Sequence, residues 1–209
     1  MHMEKIDLNS LDAIIFDLGG VLINISYTKA AESFKALGMD NFDHIYSQAK
    51  QSGLFDQFEV GAIDPSAFRS GIRDASGLSL SDQDIDDAWN SMILDFPKRR
   101  LETVRRIAED KRVFLLSNTN IIHEHHFTGI LDTQFGKGTF EESFEEYYYS
   151  HRIQKRKPNR KTFDFVINQN QLDPKRTLFI DDSEQHIIGA QSAGINTHWL
   201  NQGDVVDLF

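Results

Sequence analysis

One short run constrains the fold of this 209-residue chain more than any other. Ala13-Ile14-Ile15-Phe16 leads straight into Asp17, Leu18-Gly19-Gly20 follow, and the apolar pattern resumes at Val21-Leu22. A brief, continuous apolar run bounded by a turn signal predicts a strand buried on both faces, the kind found inside parallel sheets. Asp17 then falls at the carboxyl end of that strand, where open α/β sheets bind their ligands. A single acid at such a place equally suits a turn or a cap. The later runs decide between the two.

Val113-Phe114-Leu115-Leu116 predicts a second buried strand, ending at Ser117-Asn118-Thr119-Asn120. Tyr147-Tyr148-Tyr149 predicts a third. Thr177-Leu178-Phe179-Ile180 predicts a fourth, ending at Asp181-Asp182-Ser183, and residues 196–200 a last one. Helical patterns lie between them. Pro97 opens a helix with Leu101, Val104, Ile107 and Ala108 along one stripe, and Lys111-Arg112 end it. Lys157-Pro158 leads into a helix with Phe163, Val166 and Ile167 inward. Another passes through Ile187, Ile188 and Ala190 and closes at Gly194. Strands alternating with helices imply βαβ units, a parallel sheet and, with right-handed crossovers, a doubly wound α/β fold.

Residues 27–96 break this rhythm. Asp64-Pro65 places a capping acid before a proline suited to the first helical position, and Ser81 with Asp84 resembles a capping box. Gly38, Gly53, Gly61 and Gly77 divide the stretch into about four helices, with Phe55, Phe58, Phe68 and Ile72 along one apolar seam. A stretch this long between the first and second strands is no simple crossover. The expected organisation is an α/β core of residues 1–26 and 97–209, with an all-helical cap domain inserted at 27–96.

The charge balance narrows the chemistry. Asp and Glu outnumber Lys and Arg, 32 to 22, for a net charge of −10. That opposes a nucleic-acid binder, which needs a basic face for phosphates. An acidic chain acting on anions must recruit cations locally, as a metal or a placed Lys. Residues 152–161 do hold a basic run, Arg152, Lys155, Arg156, Lys157, Arg160 and Lys161, read as a solvated loop with one functional Lys. The absence of Cys rules out disulfides and thiolate chemistry and suits a reducing compartment. Residues 1–7 hold no apolar core of signal-peptide length, and no apolar run approaches a membrane span. The expectation is a soluble cytoplasmic protein without membrane partners.

Three strand ends share one chemical theme: Asp17, Ser117-Asn118 and Asp181-Asp182, with Lys157 before the helix that precedes the fourth strand. On neighbouring parallel strands these converge. Carboxylates from two strands suit Mg²⁺, which takes one or two carboxylates plus water and substrate phosphate. A hydroxyl, an amide and an ammonium suit phosphate oxygens. His123-Glu124-His125-His126 invites a zinc reading, but His123 and His126 stand at i, i+3 rather than the i, i+4 of helical zinc sites, so a surface helix is expected instead.

In Phe16-Asp17-Leu18-Gly19-Gly20-Val21, Leu116-Ser117-Asn118-Thr119-Asn120, Arg156-Lys157-Pro158 and Phe179-Ile180-Asp181-Asp182-Ser183, the chain resembles the haloacid dehalogenase superfamily. The resemblance spans the whole core, a Rossmann-like sheet, and the 27–96 segment looks like the cap this superfamily inserts after its first motif. It is nearest to phosphatases with Asp-Leu-Gly-Asn-Val at that motif, some of which act on glucose 1-phosphate.

The resemblance implies a Mg²⁺-dependent phosphatase acting on a small phosphorylated metabolite. Asp17 would be the nucleophile, forming an aspartyl-phosphate. Asp17, the Gly19 carbonyl and Asp182 would bind Mg²⁺, with Asp181 supporting them. Ser117, the Asn118 backbone amide and Lys157 would clamp the phosphoryl group. Many relatives carry a second Asp two residues after the nucleophile as general acid and base; here Gly19 stands in its place. Two alternatives remain open. One is a dehalogenase or a phosphonatase; dehalogenases need no metal, and phosphonatases want a cap Lys, for which Lys29, Lys35 and Lys50 carry no signature. The other is a catalytically weak phosphometabolite-binding protein. Either a monomer or a homodimer is compatible with the sequence.

Overall fold

Alternate residues of the first strand belong to two different cores. A computed structural model describes residues 5–40, 42 and 53–209; Lys50 and the 43–52 part of the expected helical insert lie outside them. Ile14 and Phe16 of β1 (Ala13–Phe16) join one apolar cluster, and Ala13 and Ile15 join another. The strand is therefore covered on both faces, which is why its sequence is continuously apolar rather than alternating.

Five parallel strands form one sheet. They are β1, β2 (Arg112–Ser117), β3 (Glu146–Tyr149), β4 (Thr177–Asp181) and β5 (Asn196–Trp199), in the order β3-β2-β1-β4-β5. The chain builds outward from β1 on one side, then returns to build outward on the other, so the switch in strand order lies between β1 and β4. Ligands bind at such a switch, beyond the strands' carboxyl ends. Phe16 pairs with Leu115 on one neighbour and with Ile180 on the other, which sets Asp17 level with Leu116 and Asp181.

Between β1 and β5 come α1 (Tyr27–Ala36), α2 (Leu54–Glu59), α3 (Pro65–Ser76), α4 (Asp82–Asn90), α5 (Lys98–Ala108), α6 (Ile121–Phe135), α7 (Ser150–Ile153), α8 (Arg160–Gln169) and α9 (Glu184–Ser192). The helices of the 27–96 segment share their own apolar cluster. Phe34, Phe55, Phe58, Phe68, Ile72 and Trp89 belong to it, and Phe58 stacks on Phe68 at 4.2 Å. The Asp64 side chain accepts the Ala67 N–H at 2.8 Å ahead of Pro65, and the Ser81–Asp84 capping box forms in both directions.

Two expectations fail. Ala108 is exposed; it is the last residue of α5, and the buried side of that helix is completed by Arg100 and Thr103 instead. Arg100 is tolerated there because its Nε donates to Asp204 at 3.2 Å. Nor is α6 a surface helix. It packs between the sheet and the helical segment, burying His123, Glu124, Phe127 and Leu131, and Ile122 joins the core of the 27–96 segment. Among the described residues no helix is long and apolar enough to cross a membrane.

Candidate active site

Asp17 follows the central strand and extends its ladder, its N–H donating to the Ile180 carbonyl at 2.9 Å. Its carboxylate is almost fully buried and meets the ammonium of Lys157, whose Nζ donates to Asp17 Oδ1 at 2.7 Å and to Asp181 Oδ2 at 2.6 Å. Lys157 has no exposed surface and lies over the Phe179 ring. The loop that carries it is fixed by Asn118. That side chain donates from Nδ2 to the Lys157 carbonyl and accepts the Lys157 N–H on Oδ1, both at 2.9 Å. The amide was read from sequence as a phosphate contact through its backbone; its side chain proves to be the clasp for the cation.

Asp181 ends β4 wholly buried. Besides Lys157 it accepts the Ser183 N–H at 2.8 Å and lies 3.0 Å from His186 Nδ1. Asp182 is exposed, and among the described residues no cation pairs with it. It leans over the turn after β1. A Cβ built on Gly20 would stand 2.1 Å from Asp182 Oδ2, and Gly20 has φ +76°, so two independent constraints require glycine there.

The electrostatics follow from burial and proximity. Burial pushes Asp17 up to about 7; the Lys157 charge pulls it back, and Asp181 and Asp182 push it higher. Burial works against the Lys157 ammonium, but Asp17 and Asp181 outweigh it and hold Lys157 above its usual value. For Asp181, Lys157 and His186 outweigh burial and depress it, whereas burial and then the Asp181 charge raise Asp182.

These acids suit a hard cation. Asp17, Asp181 and Asp182 each present an oxygen within 4.8 Å of the other two. One oxygen-ligated ion with bonds of about 2.0–2.1 Å would draw such a set together by a small shift of the exposed Asp182. Asp181 is already engaged by Lys157, Ser183 and His186, which leaves Asp17 and Asp182 as the freer donors. No other grouping of this kind occurs among the described residues, and the expected rejection of zinc at residues 123–126 has a physical reason. His123 is buried with Nε2 3.2 Å from the Trp89 carbonyl and its ring stacked on Trp89. Its Nδ1 lies 3.2 Å from Asn120 Nδ2, so both ring nitrogens are engaged and neither is offered to a metal; burial pushes its pKa down to about 4.

A cavity of about 730 Å³ opens between these strand ends and the helical segment. Gly19, Ser117 and Asn118 line its floor, Ile25, Phe55, Trp89 and Met92 its walls, and Asp56, Glu59 and Arg156 add charge. Ile25 fills the space beside Gly19, its Cδ1 3.2 Å from where a Cβ would be. His186, Asp56 and Arg156 were given no role from sequence. Asp56 and Glu59 stand at i, i+3 on α2, a spacing that places both on one face and was the available signal. The basic run is divided among separate partners: Arg152 with Glu124, Lys155 over Phe165, Arg156 with Asp56, Arg160 with Asp164.

A family model for haloacid dehalogenase-like hydrolases matches residues 11–194. A D-ribitol-5-phosphate phosphatase of Bacteroides thetaiotaomicron is 29% identical over 190 residues, covering 91% of this chain and 92% of that protein. The crystal structure of a haloacid dehalogenase-family enzyme from the same species, in complex with magnesium and inorganic phosphate, superposes with a TM-score of 0.83 at 37% identity, covering 95% of this chain and 99% of that one. A haloacid dehalogenase-like hydrolase from Porphyromonas gingivalis gives a TM-score of 0.79 at 28% identity, covering 91% of each chain.

Proposed function

The chain belongs to the haloacid dehalogenase-like hydrolase family, and on that footing we propose that it is a Mg²⁺-dependent phosphatase of a small phosphorylated metabolite of the sugar- or polyol-phosphate class. The observation that carries the reading is the convergence of a buried, lysine-gripped Asp17 with Asp181 and Asp182, where Leu18 and Gly19, next in sequence to Asp17, line a cavity with Ser117 and Asn118. The similarity to a D-ribitol-5-phosphate phosphatase and to a magnesium- and phosphate-bound relative supports it. The acid pair at the end of β4 favours a phosphatase over a dehalogenase. In this reading residues 27–96 form a cap on a core of 1–26 and 97–209, closing over the substrate and selecting it. A cytoplasmic setting, as monomer or homodimer, belongs to it; the cysteine-free composition suits a reducing compartment.

A carboxylate oxygen of Asp17 attacks phosphorus in line. The ester P–O bond breaks with its electron pair going to the alcohol oxygen, which takes a proton from water. Water then attacks the phosphorus of the aspartyl-phosphate, and inorganic phosphate leaves as the carboxylate reforms. Lys157 orients Asp17 and, with Ser117 and the Asn118 amide, holds the equatorial oxygens. Asp17, the Gly19 carbonyl and Asp182 would hold Mg²⁺, with Asp181 in support. The bound ion offsets the repulsion between carboxylate and phosphate dianion. Gly19 offers no proton to the leaving oxygen, so an ordinary polyol hydroxyl departs with a proton from water, more slowly than a readily leaving alcohol such as an anomeric hydroxyl would.

Phosphate release from a panel of sugar and polyol phosphates and p-nitrophenyl phosphate, with Mg²⁺ and with EDTA, tests the reading. Metal-dependent release is expected, falling on the order of 10³-fold or more in Asp17→Asn. An Asp17→Asn protein that hydrolyses these esters like the parent would refute it.

A further inference from the structure

We infer that Glu59 and Arg156 form a hydroxyl-gripping pair in the cavity and select phosphate esters of neutral polyols. The inference rests on the phosphatase reading and adds to it the residues that choose the leaving group. Glu59 closes α2, and Arg156 immediately precedes Lys157, so the pair joins the helical segment to the loop that supplies the buried ammonium. Both side chains line the cavity and remain about a quarter to a third exposed.

The pair is a salt bridge that leaves hydrogen-bonding capacity unmet. Arg156 donates from Nη1 to Asp56 Oδ1. Its Nη2 lies 3.0 Å from Glu59 Oε2, near enough for charge attraction, yet out of alignment for a hydrogen bond. Glu59 Oε2 and Arg156 Nε are both shut off from solvent with no hydrogen-bond partner. Such atoms are uncommon in folded proteins, and each calls for an explanation. A ligand presenting adjacent hydroxyls supplies one, because a hydroxyl donates to a carboxylate and accepts from a guanidinium. Small rotations of the two side chains would pair the orphaned atoms as a diol settles between them.

Charge and shape narrow the ligand further. Asp56 and Glu59 flank Arg156, so a second phosphate or carboxylate seated directly beside Glu59 would meet like charge. Ile25, Phe55 and Trp89 offer apolar faces to the C–H side of a carbon chain. The pair is not the sole fastening between the two parts of the chain, since Gly61 also meets the core directly. A Cβ there would lie 2.5 Å from the His151 carbonyl oxygen, so backbone packs on backbone.

Steady-state kinetics of the parent, Glu59→Gln and Glu59→Ala with a pentitol phosphate, phosphoglycolate and p-nitrophenyl phosphate test the pair, with melting temperatures as a check on folding. The parent is expected to show its lowest KM with the pentitol phosphate. Both variants should lower selectivity for that ester roughly ten- to a hundred-fold, chiefly through KM, as for a hydrogen bond to a charged group. Parallel losses on all three substrates would mark a fastener and overturn the inference. Selectivity unchanged in Glu59→Ala, or a parent with its lowest KM for phosphoglycolate, would overturn it as well. Should Glu59→Ala fail to fold, the near-isosteric Glu59→Gln decides. A parent that releases no phosphate from any ester with Mg²⁺ would instead sink the phosphatase reading, and this inference with it.

Discussion

Replacing Gly20 with alanine separates the backbone cost of a left-handed residue from the chemical cost of moving Asp182. Gly20 has φ +76°, and an alanine forced there costs about 1–2 kcal/mol. In a chain of this length each kcal/mol lowers Tm by about 2–4 °C. The second cost is local. The new methyl carbon would stand 2.1 Å from Asp182 Oδ2 and 2.6 Å from its carboxyl carbon, so the carboxylate must swing aside. If Asp182 is a Mg²⁺ ligand, the concentration of Mg²⁺ for half-maximal phosphate release should rise by about 10–100-fold. Gly77→Ala is the control. It shares the backbone conformation, φ +69°, but its Cβ meets nothing within 4 Å. Thermal melts should show a similar backbone loss in both proteins, and Mg²⁺ titrations of activity should shift in Gly20→Ala alone. Matching Mg²⁺ dependence in the two variants would refute Asp182 as a ligand, however unstable either proved.

Two further outcomes are open to measurement. His123 is held neutral with its value pushed down to about 4 from an ordinary 6.5. The folded protein resists its protonation, so this contribution is complete above pH 6.5 and fades as pH falls toward 4. Urea unfolding at pH 7 and pH 4.5 should show about 2–3 kcal/mol of acid destabilisation that is absent from His123→Gln; an equal acid loss in both proteins would refute the assignment. Gly19→Asp restores a potential general acid at the cost of displacing Ile25 Cδ1, the mobile end of a side chain. Turnover should rise more for alkyl than for aryl phosphates, by up to about 10²-fold, and equal turnover on both would show that proton transfer to the leaving oxygen is not limiting.

The strands were legible because covering both faces of a sheet removes polar positions, which leaves runs such as Ala13-Ile14-Ile15-Phe16 with no helical alternative of that length. Asp17, Ser117 and Asp181 were legible for the same reason: each is where such a run stops. What escaped notice depends on partners remote in sequence. Arg156 reaches Asp56 across 100 positions, and Arg100 is buried only because Asp204 waits 104 positions further on. A periodic stripe reports hydrophobicity and nothing about a distant counter-charge, so Ala108 was expected on the buried stripe of α5 and Arg100 was not part of it. His123 was misjudged likewise. Its ring is buried against Trp89 on another helix, and that burial is what keeps it neutral.

The charge count at the strand ends connects the acidic chain to its anionic substrate. Three carboxylates, Asp17, Asp181 and Asp182, stand within 4.8 Å of one another around a single buried ammonium. Lys157 can satisfy two of them, and it does so with Asp17 and Asp181, the two most buried. The deficit therefore falls on Asp182 and on the second oxygen of Asp17, and a phosphate dianion arriving there would deepen it. A divalent ion is the smallest addition that reverses the sign of the site without displacing Lys157. It would also draw Asp17 down from about 7 toward the ionised form that nucleophilic attack requires. In this arrangement the ion that admits the substrate also prepares the nucleophile, and the expected loss of phosphate release in EDTA reports both effects together.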